Sequence, residues 1–303
     1  MNNKVVFIIN PVAGRGRSKK LIPKLKKYLK DKISDSEIYI TERKGSAREF
    51  VSCIDNEFNI VVSVGGDGTL NEIINGLNFN DNIKLSILPC GSGNDFAKAV
   101  GAEKNLEKNV YRIFNQKTEM NVNLGRITYG ENINSSVKTH YFINSCGIGF
   151  DALVAYLISK NKFLVGLPLY LSAVIKALFS FSPIQVSYEI DNDKYEGEKL
   201  LISIGNGKTS GGGFMLNPFA DLHDNKLDVC LIDNFSRLKI IKNLSKAITG
   251  KHYLIDGINL YQFKKLSLQL KNPCYLHVDG EVITDNLKKA EIEICDKKAV
   301  FIK

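Results

Sequence analysis

The sequence predicts an α/β protein with a doubly wound, mainly parallel N-terminal sheet and a C-terminal antiparallel β-sandwich. Three observations support this fold class. The chain has 303 residues, and because single hydrophobic cores seldom grow beyond ~250–300 residues, two domains are expected. The first hundred residues alternate apolar strand patterns with helical patterns, which is typical of parallel sheets. Beyond about residue 122, strand patterns separated by turns dominate.

The N-terminal domain contains four predicted strands, each followed by a predicted helix. Short apolar runs indicate buried strands, and Leu21, Leu25 and Leu29 recur at the i, i+4 spacing of a helix. The predicted strands are 5–9, 37–41, 59–64 and 84–88, and the predicted helices are 18–32, one opening near Ser46, 70–77 and 94–100. Ligands of such sheets bind beyond the carboxyl ends of the strands. We therefore expect the loops after all four strands to share one cleft.

The C-terminal domain is predicted from residue 123 to residue 295, and the last strand, at about 296–303, returns to the N-terminal domain (1–122). Turns rich in Gly, Asn and Asp separate its strands. The predicted strands are 121–128, 138–145, 185–190, 199–204, 227–232, 265–270, 274–278 and 291–295.

An apolar segment at 163–181 is about as long as a membrane span. It is interrupted by Gly166, Pro168 and Lys176, and no second span accompanies it. We therefore predict a mostly buried or interface-facing helix that begins near Pro168. The helix has more apolar residues than burial requires, so contact of some of them with lipid is also compatible with the sequence.

The charge balance favours polyanionic partners. The chain carries 41 basic and 32 acidic residues, a net charge of +9, which suits nucleotides, nucleic acid or an anionic membrane surface. No nucleic-acid-binding motif is present, so a nucleic-acid partner is not expected. The lysines of the predicted helix 18–32 are expected on its solvated outer face, and contact with acidic lipid is the alternative.

Cysteine usage and the start of the chain point to a reducing compartment. The six cysteines include no C-x-x-C pair, and several lie in apolar stretches, so we predict small buried hydrophobes rather than zinc ligands or disulfides. The first four residues run straight into a strand without a secretory signal. A cytoplasmic protein is expected.

A glycine-rich turn at 65–72, Gly-Gly-Asp-Gly-Thr-Leu-Asn-Glu, follows the third strand. Glycine amides can converge on phosphate oxygens, and the helix that opens near Thr69 adds its positive end. Asp67 is placed to hold a magnesium ion or its water. The alternative is an ordinary strand-to-helix turn.

A second glycine turn, Gly91-Ser92-Gly93-Asn94-Asp95, follows the fourth strand and brings another carboxylate to the same edge. The alternative is a helix start capped by Asn94 or Asp95. The first loop adds Asn10, Gly14 and Arg15, whose guanidinium suits phosphate. Two such turns on one edge favour a nucleotide site.

Two carboxylate clusters lie in the C-terminal domain. If the backbone stays extended through Gly280, Asp279 and Glu281 share one face, and either could deprotonate an alcohol. On spacing alone, however, Asp-Gly indicates a hairpin turn. The second cluster, at 221–228, could hold a hard cation with backbone carbonyls, although its spacing alone favours a solvated turn.

Taken together, these motifs resemble the diacylglycerol kinase-like lipid kinases, relatives of sphingosine and ceramide kinases. The resemblance spans nearly the whole chain and rests on five segments, at 10–14, 65–72, 91–97, 147–151 and 279–281. The Gly-Gly-Asp-Gly-Thr element is shared with NAD kinases and phosphofructokinases, which implies their Rossmann-like N-terminal fold. The Asn-Pro-x-x-Gly opening and the late Asp-Gly-Glu indicate lipid kinases.

The resemblance implies the following roles. Asp279 or Glu281 is the general base, with Asp67 and Asp95 helping to place catalytic magnesium. A structural Mg²⁺ is held by Asp224 and by the main-chain carbonyls of Asp221 and Lys226. ATP is bound by Asn10, Pro11, Val12, Ala13, Gly14, Thr41, Gly65, Gly66, Asp67, Gly68, Thr69, Leu70, Asn71, Glu72, Ser92 and Asn94. Many relatives carry an aspartate where this chain has Asn123, which puts the water network toward magnesium in doubt.

The expected function is ATP-dependent phosphorylation of the hydroxyl of a diacylglycerol-like lipid at the inner membrane face. Such transfer depends mostly on positioning and charge neutralisation. The alternatives are an NAD kinase and a membrane-docking protein that binds ATP without turnover. The family likeness also makes a homodimer plausible. The sequence does not identify the lipid.

Overall fold

The computed structural model describes residues 4–54, 58–79, 82–103, 105–115, 118–131, 136–161 and 166–302. The chain divides into two compact units. Unit 1 comprises Met1–Val122 and Lys297–Lys303, and unit 2 comprises Asn123–Asp296.

Unit 1 is a parallel sheet with helices between its strands. Its strands lie in the order β2, β1, β3, β4, and the end of the last strand of the chain pairs in parallel with β4 through Val300 and Phe301. The strands are β1 (Val5–Ile9), β2 (Ser36–Ile40), β3 (Ile60–Gly65) and β4 (Lys84–Pro89). The helices are α1 (Ala13–Tyr28), α2 (Ser46–Ser52), α3 (Asp67–Gly76), α4 (Asp95–Ala99) and α5 (Leu106–Asn115), with a 3₁₀ helix at Lys30–Asp35.

The apolar composition of the central strands explains why the sequence predicted the strands of unit 1. All five residues of β1 are fully buried, as expected for strands covered on both faces. The four predicted strands are confirmed within one residue at each end. Helix α1 is counted from Ala13, but residues 14–16 are left-handed, so its regular right-handed turns follow Gly16, close to the predicted start at Ser18.

Unit 2 is built from antiparallel strands around a separate apolar core. One path of paired strands runs β11, β10, β9, β7, β12, β13, while β8 pairs with β9 and β12, and β5 pairs with β6 and β13. The strands are β5 (Glu119–Gly130), β6 (Lys138–Phe142), β7 (Ser145–Gly149), β8 (Ile184–Ile190), β9 (Asp193–Gly205), β10 (Leu227–Asp233), β11 (Ile258–Phe263), β12 (Lys265–Val278) and β13 (Glu281–Ile302); β5 and β13 each have one end in unit 1.

Two strand predictions in unit 2 were wrong in detail. The predicted strand 138–145 is two strands, because the backbone between β6 and β7 turns its N–H groups toward a carboxylate rather than a neighbouring strand. The predicted strands 265–270 and 274–278 form the single strand β12, whose pairing with β13 shifts register between Gln269 and Cys274. A bulge of this kind lets one strand bend without ending.

Three helices belong to unit 2: α6 (Phe150–Lys160), α7 (Gly166–Ser180) and α8 (Arg237–Ile248). Helix α7 is the predicted apolar helix, and it buries Ala173, Val174 and Ala177. Helices α6 and α8 had not been predicted. Among the helices that the structure describes, none combines the length and the apolar composition needed to cross a membrane.

The cysteine prediction holds for four of the six thiols. Cys90, Cys146, Cys230 and Cys274 are buried, and all six are free. Cys53 is exposed, which corrects the expectation that the cysteines are buried hydrophobes: it follows the last turn of α2, where the chain leaves the core.

Candidate active site

The two glycine turns of unit 1 are in backbone contact. A Cβ built on Gly91 would lie 2.5 Å from Cα of Gly66, closer than any real Cβ contact. The amides of Cys90 and Gly91 both donate to the carbonyl of Gly65, at 2.7 and 3.1 Å. Parallel pairing of β3 with β4 places the turns side by side, and only residues without a side chain allow this approach. The turns therefore form one continuous backbone surface.

The loop after β1 joins the same place. Asn10 donates from its side chain to Oγ1 of Thr69, at 3.2 Å, and its own Oδ1 accepts from the amide of Val12. A Cβ on Gly14 would lie 1.9 Å from the carbonyl oxygen of Cys90. Gly14, Arg15 and Gly16 are all left-handed, with φ of 56°, 59° and 82°. Three such residues in a row turn the chain sharply at the end of the strand.

Asp67 connects the first glycine turn with helix α4. Its carboxylate oxygens accept from the backbone amides of Asp95 and Phe96, at 3.2 and 3.3 Å. This is a capping interaction supplied from another segment of the chain, and it complements the positive end of the helix. Asp95 is buried and lies 3.5 Å from the ammonium of Lys98. The two carboxylates predicted to place magnesium thus belong to one cluster within unit 1.

The remaining predicted ATP ligands either support the loops of the site or lie on those loops and on the first turns of α3. Thr41 is buried, and its amide donates to the carbonyl of Ile9, next to Asn10. The carboxylate of Glu72 accepts from the amides of Gly45 and Ala47, so it fixes the loop after β2 to helix α3. The others lie on the loops already described or on the first turns of α3. Val12 and Ser92 are exposed, Pro11, Ala13 and Gly68 are half-buried, and Leu70 and Asn71 are buried. The side chain of Asn94 donates to the carbonyl of Gly91.

The Asp279–Gly280 pair of unit 2 is the hairpin turn that its Asp-Gly spacing indicated, and the backbone is not extended through Gly280. Val278 pairs with Glu281, and the two residues between them have φ of 48° and 82°. Positive φ at both central residues is the type I′ geometry that Asp-Gly favours. The side chains of Asp279 and Glu281 therefore do not share one face of a strand.

The buried carboxylate of Asp279 holds the segment between β6 and β7. Its Oδ1 accepts from the amides of Asn144 and Ser145, both at 2.9 Å, and its Oδ2 accepts from the amide of Ile143 at 3.1 Å. Its own amide donates to the carbonyl of Ser145. Three backbone donors on one carboxylate hold this segment against the turn. Glu281, by contrast, is half-buried.

A buried histidine lies beside this turn. Nε2 of His277 is 3.0 Å from Oδ2 of Asp151, and Nδ1 of His277 accepts from the amide of Gly280 at 3.3 Å. A Cβ on Gly147 would lie 2.3 Å from Nε2 of His277 and 2.4 Å from Oδ2 of Asp151. Sequence reasoning missed this pair, although Gly147 and Asp151 belong to a motif that carried the family resemblance.

The loop predicted to hold a structural metal is organised by its own carboxylates. Oδ1 of Asp224 accepts from the amide of Lys226, and Oδ2 accepts from Nε2 of Gln262. Oδ1 of Asp221 accepts from the amide of His223. In the part of the chain that the structure describes, no group of three or more His, Cys, Asp or Glu side chains is arranged as a metal site. Any cation here would depend on main-chain carbonyls.

Asn123 binds this loop directly. With the amide oriented to satisfy its neighbours, its oxygen accepts from the amides of Asn225 and Asp224, at 2.7 and 3.3 Å, and its nitrogen donates to Oδ1 of Asn225 at 3.2 Å. An aspartate could not make the last of these bonds, because its carboxylate has no donor. The asparagine at this position is therefore matched to Asn225.

Burial raises the pKa of Asp228, which follows the loop, to about 6, with Asp224 adding to the rise. Oδ2 of Asp228 is buried and has no hydrogen-bond partner. A cation bound in this loop would offer this buried oxygen a charge partner, and the ammonium of Lys226 already acts against the rise in pKa.

Comparison with known proteins accounts for both units. Residues 4–127 match the diacylglycerol kinase catalytic domain, and residues 144–294 match the YegS C-terminal NAD kinase beta sandwich-like domain. The chain belongs to the diacylglycerol kinase-like family of bacterial lipid kinases.

Relatives of this lipid kinase family match over almost their full length. A diacylglycerol kinase of Staphylococcus haemolyticus is 27% identical over 304 residues, which cover 97% of this chain and 88% of the relative. A diacylglycerol kinase of Bacillus subtilis is 27% identical over 278 residues, covering 91% and 88%.

Solved structures agree with this chain in fold. A diacylglycerol kinase structure from Bacillus anthracis has a TM-score of 0.69 at 21% identity and covers 99% of this chain and 96% of that chain. An NAD kinase from Archaeoglobus fulgidus, in complex with ATP, has a TM-score of 0.57 at 14% identity and covers 99% and 93%. The predicted fold class, an α/β domain followed by an NAD kinase-like β-sandwich, is confirmed.

Proposed function

We propose that this protein transfers the γ-phosphate of ATP to the hydroxyl of a diacylglycerol-like lipid. The observation that carries the proposal is the backbone contact between the two glycine turns, joined by the loop of Asn10, in a chain of this kinase family. A surface of close-packed amides without side chains suits a polyphosphate, which must approach the backbone itself. Such a site stabilises the charge on the transferred phosphoryl group through the positions of its hydrogen-bond donors alone.

The residues of unit 1 would act on the phosphates. Those amides of the first loop and of the two glycine turns that do not already donate to a carbonyl would donate to phosphate oxygens, and Arg15 would add a cation. Asp67 and Asp95 would hold the catalytic magnesium, which neutralises the charge of the triphosphate when it is bound. The capping bonds from the amides of Asp95 and Phe96 would keep the Asp67 carboxylate in place.

Glu281 is the better candidate for proton acceptor. Asp279 already accepts from three backbone amides, so protonating it would weaken bonds that hold the segment between β6 and β7. Glu281 begins β13 directly after the turn that Asp279 fixes. In the proposed step Glu281 takes the proton of the lipid hydroxyl, the hydroxyl oxygen bonds to the γ-phosphorus, and the bond from that phosphorus to the bridging oxygen breaks, leaving ADP.

The loop at Asp221–Lys226 would hold a structural Mg²⁺ through Asp224 and the carbonyls of Asp221 and Lys226. The amide of Lys226 and the side chain of Gln262 already orient the Asp224 carboxylate. The charge concentrated near Asp228 suits a divalent cation. The ion would stabilise the loop that Asn123 binds.

An apolar cavity in unit 2 would receive part of the lipid. It has a volume of about 70 Å³, room for a few methylene groups. Its walls include side chains of α7, β9 and α8, among them Val174, Leu201 and Leu244. An apolar cavity with few polar groups favours the apolar part of a lipid and does not select a particular head group.

The decisive experiment measures label transfer from γ-labelled ATP with Mg²⁺ to purified lipids. Diacylglycerol, phosphatidylglycerol, a polyprenol and a sphingoid base each present one hydroxyl for the comparison, and NAD serves as the counter-substrate. We expect label on diacylglycerol and none on NAD. Label on NAD alone, or ATP binding without any labelled lipid, would contradict the proposal.

Two variants assign the base. Glu281→Gln should keep the melting temperature and lower turnover by roughly 10²–10⁴-fold. Asp279→Asn should lower the melting temperature, because it weakens acceptors for three buried amides. Near-normal turnover in Glu281→Gln would remove Glu281 from this role.

A further inference from the structure

The side chain of Arg17 connects the first loop of unit 1 with the second glycine turn. Its Nε donates to the carbonyl of Gly14 at 3.1 Å, and its Nη2 donates to the carbonyl of Gly91 at 2.7 Å. Arg17 and Gly91 are 74 residues apart in the sequence. The parallel pairing of β1 with β3 and of β3 with β4 brings their loops together. One guanidinium therefore bonds both segments at once.

The glycine at position 14 makes room for this guanidinium. A Cβ built on Gly14 would lie 2.6 Å from Nε of Arg17 and 1.9 Å from the carbonyl oxygen of Cys90. The charge of Arg17 also acts on Cys90: burial raises the pKa of this thiol to about 11, and the guanidinium acts against that rise. Both observations place the guanidinium between the first loop and the second glycine turn.

Several other hydrogen bonds fix the first loop to itself, to β3 and to the first glycine turn. The amide of Asn10 donates to the carbonyl of Val64, and the amide of Ala13 donates to the carbonyl of Asn10. The side chain of Asn10 donates to Oγ1 of Thr69, and the hydroxyl of Ser18 donates to the carbonyl of Asn10. None of these bonds reaches the second glycine turn, whereas the bond from Arg17 does.

We propose that Arg17 is a positioning residue of the ATP site: it holds the first loop against the second glycine turn, so that one triphosphate can reach both. This inference rests on the proposed function and adds a residue that the proposed function does not use. A guanidinium suits the task because it presents several donors in a fixed planar fork, whereas the ammonium of lysine is a point charge on a flexible stem. The bonds also engage the carbonyl oxygens of Gly14 and Gly91, which would repel a phosphate that met them unpaired.

Replacement by lysine separates this role from direct binding of phosphate. Arg17→Lys keeps the charge but loses the fixed fork, and Arg17→Gln loses both. In calorimetric titrations with ATP and Mg²⁺, we expect both variants to raise the Kd by about tenfold, the effect of one lost charge-assisted hydrogen bond. The melting temperature should stay unchanged. Wild-type affinity in Arg17→Lys, with or without a loss in Arg17→Gln, would overturn the proposal.

The matched control is Lys19→Gln. Lys19 lies two residues further along α1 and is exposed, so this variant removes the same charge from the same helix. Its Kd for ATP should equal that of the wild type. A loss equal to that of Arg17→Gln would show that only the general positive charge of α1 matters, and it would overturn the proposal.

Chemical rescue tests the fork itself. Because Arg17 is exposed, a free guanidinium ion can enter the space that Arg17→Ala leaves. Guanidinium chloride at a concentration well below the denaturing range should restore part of the ATP affinity of Arg17→Ala, and ammonium chloride at the same ionic strength should not. Equal rescue by ammonium would assign the effect to charge alone and contradict the proposal.

Hydrogen exchange without nucleotide makes failure of this inference distinguishable from failure of the proposed function. In Arg17→Lys, the amides of residues 10–16 and 90–94 should exchange faster than in the wild type, and those of β12 in unit 2 should not change. Unchanged exchange and affinity in a protein whose wild type binds ATP would overturn this inference alone. A wild type that binds no ATP would overturn the proposed function and the role of Arg17 with it.

Discussion

The imidazole of His277 donates from Nε2 to Asp151, 3.0 Å away, inside unit 2, where both side chains are almost fully buried. Because Nδ1 accepts from the amide of Gly280, the ring proton is placed on Nε2. The pair thus connects helix α6 with the hairpin turn of Asp279 and Gly280. Because His277 contacts the turn, it would act in the proposed function as a positioning residue.

Replacing His277 by Phe should destabilise the protein by about 3–5 kcal/mol, because it leaves the buried carboxylate of Asp151 without its donor. The matched control is Asp151→Asn, which keeps an oxygen acceptor for Nε2 and should cost much less. Urea unfolding measures both. If the two variants are equally stable, the bond between His277 and Asp151 does not contribute to the free energy of unfolding. In folded His277→Phe, turnover should fall while the KM for ATP stays constant, since the ATP site is assigned to unit 1.

Adding a methyl group to the glycine surface should weaken ATP binding. Gly91→Ala would place Cβ 2.5 Å from Cα of Gly66, so the two turns must separate. We expect the Kd for ATP to rise at least tenfold, or about 1.4 kcal/mol. Gly101→Ala is the control, because nothing lies within 4 Å of its Cβ position, although its positive φ adds a backbone strain that Gly91 does not have. Calorimetric titration with ATP compares them, and equal affinities would count against the site.

Asp67→Ala should abolish phosphoryl transfer while the protein still folds. The lost cap on the amides of Asp95 and Phe96 should cost about 1 kcal/mol. Asp67→Asn retains one acceptor for the cap, so it should be more stable than the alanine variant and equally inactive. Turnover assays and thermal melts distinguish the two effects. A variant with near-normal turnover would exclude Asp67 from the mechanism.

Stability should fall as the pH drops below about 6.5, in part through His252. Burial lowers the pKa of this imidazole below its ordinary value of 6.5, and a hydrogen bond to the carbonyl of Leu216 acts in the opposite direction. The unfolded chain therefore binds the proton first, and the contribution of the neutral ring is present above pH 6.5 and lost below it. His252→Gln should flatten unfolding free energy against pH between 7 and 5, and an unchanged slope would contradict this account.

Thiol reactivity should separate the cysteines by burial. Burial raises the pKa of Cys90 to about 11 and that of Cys274 to about 12, and it also raises those of Cys146 and Cys230. Cys53 is exposed. At pH 8, a disulfide reagent should therefore modify Cys53 first, and Cys53→Ser should remove the fast phase. All six thiols should react in guanidinium, and a fast phase that survives Cys53→Ser/Cys295→Ser, which also removes the half-buried thiol, would show that one of the buried thiols is accessible.

Local pattern was enough for the four strands of unit 1, because β1, β3 and β4 are mostly apolar runs that need no partner to be recognised, whereas helix α5 was not predicted. The same holds for the Asp279–Gly280 turn, which its own φ preferences specify. The function of Asp279 as an acceptor was not predictable from spacing. Its donors Ile143 and Asn144 lie about 135 residues away, and only the tertiary structure brings them together.

Helix α8 shows a different limit. Its residues Ile240, Leu244 and Ala247 pack against the core at the spacing of an amphipathic helix, yet the sequence interpretation passed over it. Asn123 could be identified as a departure from relatives, yet its match to Asn225 required the backbone of the loop.

The missing side chain at Gly147 has a consequence for how this protein can change over time. Any larger residue there collides with both partners of the His277–Asp151 bond. A mutation at this glycine is therefore tolerable only in a lineage that has already replaced the histidine or the aspartate. Substitutions at Gly147, Asp151 and His277 should therefore occur together. Replacing one of these residues by that of a homologue should impair folding more often than replacing all three.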